Sequence, residues 1–358
     1  MPPAGRPSAG DPGSTPSPDA TGAGPADTPT PGAGDRYCPT CGRVFDADHR
    51  FCPQDGSTLL PRGAGADLVG RVVGGRYQAL RKIGEGGMGQ VYLARHLRID
   101  RLCAVKVLHA HLTRDPESVG RFSREATTAA RIRHPNVVEI HDCGEGDDGL
   151  VYIAMEWVEG KPLAQLLRDE GAFEPERATR LARQIAGALG AAHQAGIMHR
   201  DLKPDNILVA APGTPEEAAK VVDFGIAKAV QGVTEALTRT GFVVGTPRYM
   251  SPEQLTAEPL DPRSDLYSLG CILFEMLTGQ EAWGGGDALI TRRLTEAPPS
   301  ARQRNPAVPT SLDRIVLRLL SRSAEQRFQT AEELDAALAA VEGAARARPA
   351  KRAWLPWR

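Results

Sequence analysis

The chain of 358 residues has no apolar run approaching the ~20 residues that a helical bilayer span needs. Its first residues lack the apolar core of a secretory signal. The expectation is therefore a cytoplasmic protein with no transmembrane segment. Cysteine is scarce: six residues, unevenly spread, do not make a disulfide framework. Cys103, Cys143 and Cys271 stand singly in apolar surroundings and read as buried small hydrophobes. Net charge is also nearly absent. A value of -1 gives no electrostatic case for binding nucleic acid or an anionic membrane surface. No G-x-x-x-x-G-K-[ST] occurs, which argues against a P-loop NTPase. What is present is ordinary for a soluble protein, 41% hydrophobic and 24% charged. The length leaves room for two or three domains.

Composition divides the chain. Residues 1–36 are Pro, Gly, Ala, Ser and Thr with few charges and no aromatic. Such a stretch cannot bury enough apolar surface to offset chain entropy, so it is expected to be disordered. A compact cysteine module follows at 37–60, then a Gly/Arg-rich linker at 61–76 and a large domain at 77–342. The tail, 343–358, is basic and carries Trp354 and Trp357. It could touch an anionic membrane, but Pro349 and Pro356 interrupt any amphipathic helix and favour a solvated terminus.

In the cysteine module, Tyr37-Cys38-Pro39-Thr40-Cys41-Gly42 and Phe51-Cys52-Pro53-Gln54-Asp55-Gly56 repeat one pattern. Each half is a tight knuckle presenting two donors and closed by a glycine. Two facing knuckles form the tetrahedral site of a zinc ribbon, which this segment resembles. The departure is Asp55, which stands in the slot equivalent to Cys41. Zinc accepts carboxylate oxygen, so Cys38, Cys41, Cys52 and Asp55 make a reasonable site, with His49 as the competing fourth donor. No βαβ pattern accompanies the Cys-x-x-Cys, which argues against a redox dithiol. So short a segment would draw most of its folding energy from the metal.

Tyr77 to Ile83 and Val91 to Leu97 are strand-like and flank Gly84-Glu85-Gly86-Gly87-Met88-Gly89. In a dinucleotide fold a helix would follow those glycines, whereas Gln90-Val91-Tyr92-Leu93-Ala94 is a strand pattern. The expected unit is a β-hairpin whose backbone can lie close over phosphates. Leu102 to Leu108 is an apolar strand interrupted only by Lys106. A buried ammonium is costly unless paired, so Lys106 calls for a carboxylate and a ligand phosphate. Downstream, His199-Arg200-Asp201-Leu202-Lys203-Pro204-Asp205-Asn206 precedes Asp223-Phe224-Gly225 by about one hairpin.

With these motifs in this order, residues 77–342 resemble a Ser/Thr protein kinase of the eukaryotic-like type found in bacteria. The resemblance implies an α+β, bilobal fold with a small β-rich N-lobe and a larger, mainly helical C-lobe. It implies transfer of the ATP γ-phosphate to protein Ser/Thr hydroxyls with Mg2+, or Mn2+ as the alternative. Asp201 would orient the hydroxyl, Lys203 would reach the γ-phosphate and mark the Ser/Thr branch, and Asn206 and Asp223 would hold the metal. Glu125 would pair with Lys106, Glu117 being the alternative, and Thr246 would brace Asp201 and Lys203. The nucleotide would lie under Ile83 to Gly89 (Ile83, Gly84, Glu85, Gly86, Gly87, Met88, Gly89). Val91, Ala104 and Leu208 would sandwich the adenine, with Met155 as gatekeeper and the backbones of Glu156 and Val158 on the adenine edge. Glu253 would pair with Arg327, and Asp265 would hold the catalytic-loop backbone.

Arg200 is expected as a buried guanidinium that needs an anion, supplied by phosphate on Thr238 and Thr240. Thr330 with Glu333 reads as a capping box, and Leu334, Leu338 and Val341 line one face of the last helix. Residues 210–219 read as a surface loop without implied function. The alternative function is a pseudokinase or scaffold, which loss of the lysine, the base or a metal ligand would signal; none is lost. A third reading makes the ribbon a protein-binding module governed by the kinase domain.

Overall fold

The computed structural model describes residues 36–37, 44–45, 49, 53, 60–61, 67–86, 89–109, 112–113, 116–146, 149–224, 247–284 and 288–346. The chain divides into two units, Met1–Arg62 and Gly63–Arg358. In the first unit, strands β1 (Arg36–Tyr37), β2 (Val44–Phe45) and β3 (Leu60–Pro61) form an antiparallel sheet in the order β2-β1-β3. His49 is exposed, with its ring 6.0 Å from that of Phe45. Cys38, Cys41, Cys52 and Asp55 lie outside the described residues, as does the stretch expected to be disordered.

The second unit opens with a short strand, β4 (Val72–Val73), followed by β5 (Tyr77–Gly86), β6 (Gly89–His96) and β7 (Arg101–Leu108). Helix α1 (Pro116–Ala129) leads to β8 (Ile140–Glu145) and β9 (Val151–Glu156). The six strands form an antiparallel sheet ordered β4-β5-β6-β7-β9-β8. Alternation sorts its side chains onto two faces. Cys103, Val105 and Val107 pack with Tyr77, Tyr92 and Leu68, whereas Ala104 and Leu108 pack with Phe122, Ala126 and Met155. Lys106 shares the second face, the one that α1 covers.

Two expectations are corrected here. The linker expected over 61–76 already carries structure from Leu68, because Leu68 and Val73 are buried and Val72–Val73 pair with Tyr77–Gln78. Gly74 and Gly75, at φ 56° and 66°, make the turn that returns the chain. Cys103 and Cys271 are buried as expected, but Cys143 is only half-buried on the edge strand β8.

The larger half is built from β10 (Gly160–Pro162), α2 (Leu163–Glu170) and α3 (Pro175–Gln194), then β11 (Ile207–Ala210) and β12 (Ala218–Val221). Helices α4 (Pro252–Leu255), α5 (Pro262–Thr278), α6 (Leu289–Thr295), α7 (Ala301–Arg304), α8 (Thr310–Leu319) and α9 (Ala331–Arg346) complete it. Helix α5 is apolar on nearly every face and accordingly lies buried between neighbours. Leu334 and Leu338 of α9 are buried against this core and Val341 is partly so. At the start of α9, Thr330 accepts the Glu333 N–H at 3.2 Å, but the Glu333 carboxylate reaches Gln329 N–H, so the box closes one residue early. Glu217, in the loop expected to be plain surface, is buried and accepts from Arg177 at 2.7 Å and Arg180 at 3.1 Å. The loop joining β11 and β12 is thus anchored to α3.

Candidate active site

Lys106 is 8% exposed, and an ammonium so placed needs a counter-charge. It finds Asp223 Oδ2 at 2.8 Å. Burial alone would raise the Asp223 carboxyl, but the charge and hydrogen bond of Lys106, with His199 and Lys203 assisting, hold it below the usual range. Asp223 also sits at φ 61°, a left-handed conformation uncommon outside glycine. Phe224 follows it, buried, with its ring 5.0 Å from that of His199.

The β11–β12 hairpin brings the two motifs together. Ile207 pairs with Val221, so Asn206 and Val222 flank the hairpin's open end, where Val222 N–H donates to Asn206 O at 3.0 Å. Asn206 Nδ2 donates to the Asp201 carbonyl at 2.9 Å, and Lys203 Nζ meets Asp201 Oδ2 at 2.8 Å. His199 Nε2 lies 3.0 Å from the Val222 carbonyl, which can only accept, so Nε2 carries the proton. Its Nδ1 is then free to accept the Asp201 N–H at 3.3 Å.

Asp265, 2% exposed on α5, fixes this loop from beneath. Its Oδ2 accepts from His199 N–H and from His193 Nε2, and its Oδ1 from Arg200 N–H, each at 2.8 Å. Burial would raise this carboxyl, but the His193 hydrogen bond leads the opposing influences and keeps it low. Gln254 Nε2 donates to the Arg200 carbonyl at 2.7 Å, and Ser251 and Gln254 cap α4 reciprocally. Glu253 pairs with the fully buried Arg327 through bonds of 2.7 and 2.8 Å, as expected.

Sequence reasoning missed His193 and Gln254. The Ser-x-x-Gln spacing could have pointed to Gln254. A lone histidine on an Ala/Leu-rich helix gave no comparable signal for His193. The expectation of a buried Arg200 guanidinium is corrected. Arg200 is exposed at φ 65°, and what the core takes from it is its N–H and C=O.

Val91, Ala104, Met155, Val158 and Leu208 gather in one apolar cluster on the α1-facing side of the sheet. Met155 also borders a cavity of about 20 Å3 beside Ala129 and Phe224. The Glu156 N–H is taken by the Glu139 carbonyl at 2.8 Å, and its carboxylate by Lys220. A Cβ at Gly89 would lie 2.1 Å from the Val107 carbonyl, so close strand packing requires that glycine. At Gly86 a Cβ would meet no described atom within 4 Å. Ile83, Gly84, Glu85 and Gly86 form the described arm of the hairpin; Gly87 and Met88 lie outside the described residues. So do Thr246, Thr234, Thr238, Thr240 and the side chains of Glu125 and Glu117, although both glutamates belong to α1.

The donors present suit Mg2+: Asn206 keeps its amide oxygen and Asp223 one carboxylate oxygen after their protein hydrogen bonds are made. Such an ion takes one or two protein oxygens and completes its shell with phosphates and water. Among the described residues no group of three or more His, Cys, Asp or Glu gathers as a metal site. No described helix is long and apolar enough to cross a membrane.

The protein kinase domain family model matches residues 77–337. Serine/threonine-protein kinase pkn3 of Myxococcus xanthus is 43% identical over 282 residues, 77% of this chain and 52% of that protein. Serine/threonine-protein kinase PrkC of Bacillus subtilis is 42% identical over 271 residues, 75% of this chain and 41% of that protein. This chain therefore spans about half the length of the curated relatives it matches. The crystal structure of the Mycobacterium tuberculosis PknI kinase domain superposes with a TM-score of 0.61 at 28% identity, over 77% of this chain and 99% of that one.

Proposed function

The chain belongs to the protein kinase family, and from that premise we propose that it is an ATP- and Mg2+-dependent kinase of protein Ser and Thr hydroxyls. The observation that carries this reading is the pairing of Asp201 with Lys203 at 2.8 Å, tied through Asn206 to the hairpin that delivers Asp223 to Lys106. Asp201 orients the substrate hydroxyl and takes its proton as oxygen attacks the γ-phosphorus and the bond to the β,γ-bridging oxygen breaks. Lys203 neutralises the transferring phosphoryl group, and Lys106 the remaining phosphates. Asn206 and Asp223 would hold Mg2+, which would supply charge neutralisation on the β- and γ-phosphates.

Val91, Ala104 and Leu208 enclose the adenine, Met155 closes the back of its pocket, and the Glu156 carbonyl and Val158 backbone face its edge. Glu125 supports Lys106, and Thr246 braces Asp201 with Lys203. The domain runs over 77–342, preceded by the strand at Val72–Val73 that pairs with it, by a zinc ribbon at 37–60 and by a tail at 1–36, and followed by a basic tail at 343–358. Cys38, Cys41, Cys52 and Asp55 would hold a structural zinc, and the ribbon so formed would offer a surface to a protein partner. The cytoplasm is the compartment consistent with this set, and near-neutral charge speaks against a nucleic-acid partner.

The test is phosphate transfer from Mg-ATP by the purified chain to itself and to a general protein substrate, at roughly 1–100 s⁻¹ on a good substrate. Asp201→Asn should lose about 10²- to 10⁴-fold in rate while nucleotide binding persists. Full activity in that variant would refute the mechanism, and phosphotyrosine as main product would refute the Ser/Thr assignment.

A further inference from the structure

The hairpin of β5 and β6 is held from behind by a line of side chains the reaction itself does not use. Leu68 N–H donates to Tyr92 Oη at 3.2 Å, and the Tyr92 hydroxyl donates to Gln90 Oε1 at 2.6 Å. Gln90 Nε2 in turn donates to Glu85 Oε1 at 3.4 Å, and the other Glu85 oxygen takes Lys82. The first three of these hydrogen bonds run the same way, from Leu68 through Tyr92 and Gln90 to Glu85, where Lys82 donates from the other side. Gln90 and Tyr92 are two residues apart on one strand, hence on one face, and Tyr92 belongs to the cluster away from the nucleotide side.

The burial is informative. Tyr92 is 0% exposed and Gln90 8%. A buried amide costs free energy unless both its ends are bonded, and an apolar side chain would fill the place more cheaply if packing alone mattered. At the far end, Leu68 is seated by more than its N–H. Its side chain is buried in the same cluster, Gly70 N–H donates to Ala79 O at 2.8 Å, and Ala79 N–H donates to Arg71 O at 2.9 Å. Residues 67–73 thus form a strap along β5, by which the chain enters the domain from the cysteine module. Register shifts in β5 at Ala79/Arg81 and Lys82/Gly84 bend the strand between the strap and the turn.

We propose that Leu68, Tyr92 and Gln90 are positioning residues for ATP: the seated strap holds Glu85, and with it the glycine-rich turn, in the geometry that receives the phosphates. The inference rests on the kinase reading above and deepens it.

The experiment uses the full chain and three single variants, Gln90→Met, Tyr92→Phe and Leu68→Asp, together with the Gln90→Met/Leu68→Asp double variant. Steady-state kinetics gives KM for ATP and kcat. Titration with Mg2+ and N-methylanthraniloyl-ATP gives nucleotide Kd, and thermal unfolding confirms that each variant is folded. Each single variant should raise KM for ATP and nucleotide Kd by roughly 3- to 10-fold, the scale of one hydrogen bond, with kcat nearly unchanged. The double variant should be no weaker than the weaker single, because both cut one line. Unchanged KM for ATP in folded Gln90→Met, a loss confined to kcat, or additive losses in the double variant would each overturn the proposal. A wild-type chain that binds no nucleotide would instead remove the kinase reading itself.

Discussion

Lys106 and Asp223, 117 residues apart in sequence, meet at 2.8 Å between β7 and the segment after β12. This pair has a consequence for pH. A carboxyl held low in the fold stabilises it above the unfolded value of about 3.9, and that contribution is lost as pH falls through the folded value. In Lys106→Met, burial, the largest influence on Asp223, loses its main opposition, the carboxyl moves upward, and its contribution near neutrality turns unfavourable. Thermal unfolding of both proteins from about pH 3 to 7 should show wild type losing Tm more steeply on acidification, with the variant's deficit shrinking. Parallel curves would disconnect the two residues. Transfer activity in the variant should be nearly abolished.

Asp265 satisfies three donors with one buried carboxylate. Asp265→Ala leaves all three without a partner, and each donor left unsatisfied inside the fold costs about 1–3 kcal/mol. Denaturant unfolding should show a loss of that order, and residual folded protein should lose more in kcat than in nucleotide affinity. A loss below about 1 kcal/mol would place the loop's support elsewhere.

For the cysteine module, metal analysis of gel-filtered protein should give about one zinc per chain. Cys38→Ser or Cys52→Ser should remove it with little change in kinase activity. Asp55→Ala should weaken retention and His49→Ala should not. The reverse pattern would make His49 the ligand, and metal-free native protein would eliminate the site.

Arg200 is exposed beside Asp201, so its guanidinium is accessible to an anion. Phosphate adds about -1.5 to -2 charges and three acceptor oxygens. Mass spectrometry of protein incubated with Mg-ATP should find phosphate mainly on Thr238 and Thr240. The double alanine variant should lose roughly 10-fold or more in rate. Equal rates would mean that Arg200 takes its anion from another source.

Much of the site is legible in the chain because its parts are local. The glycine hairpin is marked by strands on both sides of the glycines, and its two strands pair along their length. Lys106 is conspicuous as the single charge in the apolar run from Leu102 to Leu108. Ser251 and Gln254 at capping-box spacing, and Thr330 near Glu333, likewise announce helix starts. Such features follow from backbone geometry over a few residues, which sequence specifies directly.

Other features depend on what the folded chain brings from far away. Nothing near His193 announces Asp265, 72 residues on, as its partner. Glu217 reads as one acidic loop residue until α3 sets Arg177 and Arg180 around it. The linker reading of 67–73 fails for the same reason, since Leu68 and Val73 become core only once β5 and β6 supply the face they cover.

By itself, then, the sequence determined the family, the order of strands and helices around the catalytic segments, and the residue types available for chemistry, since each is set by spacing and local propensity. The tertiary structure alone decided the partners that no motif announced, such as His193 for Asp265 and Arg177 with Arg180 for Glu217. A carboxylate or amide can be buried only where distant donors and acceptors converge on it. That convergence is a property of packed elements, not of any short stretch of chain.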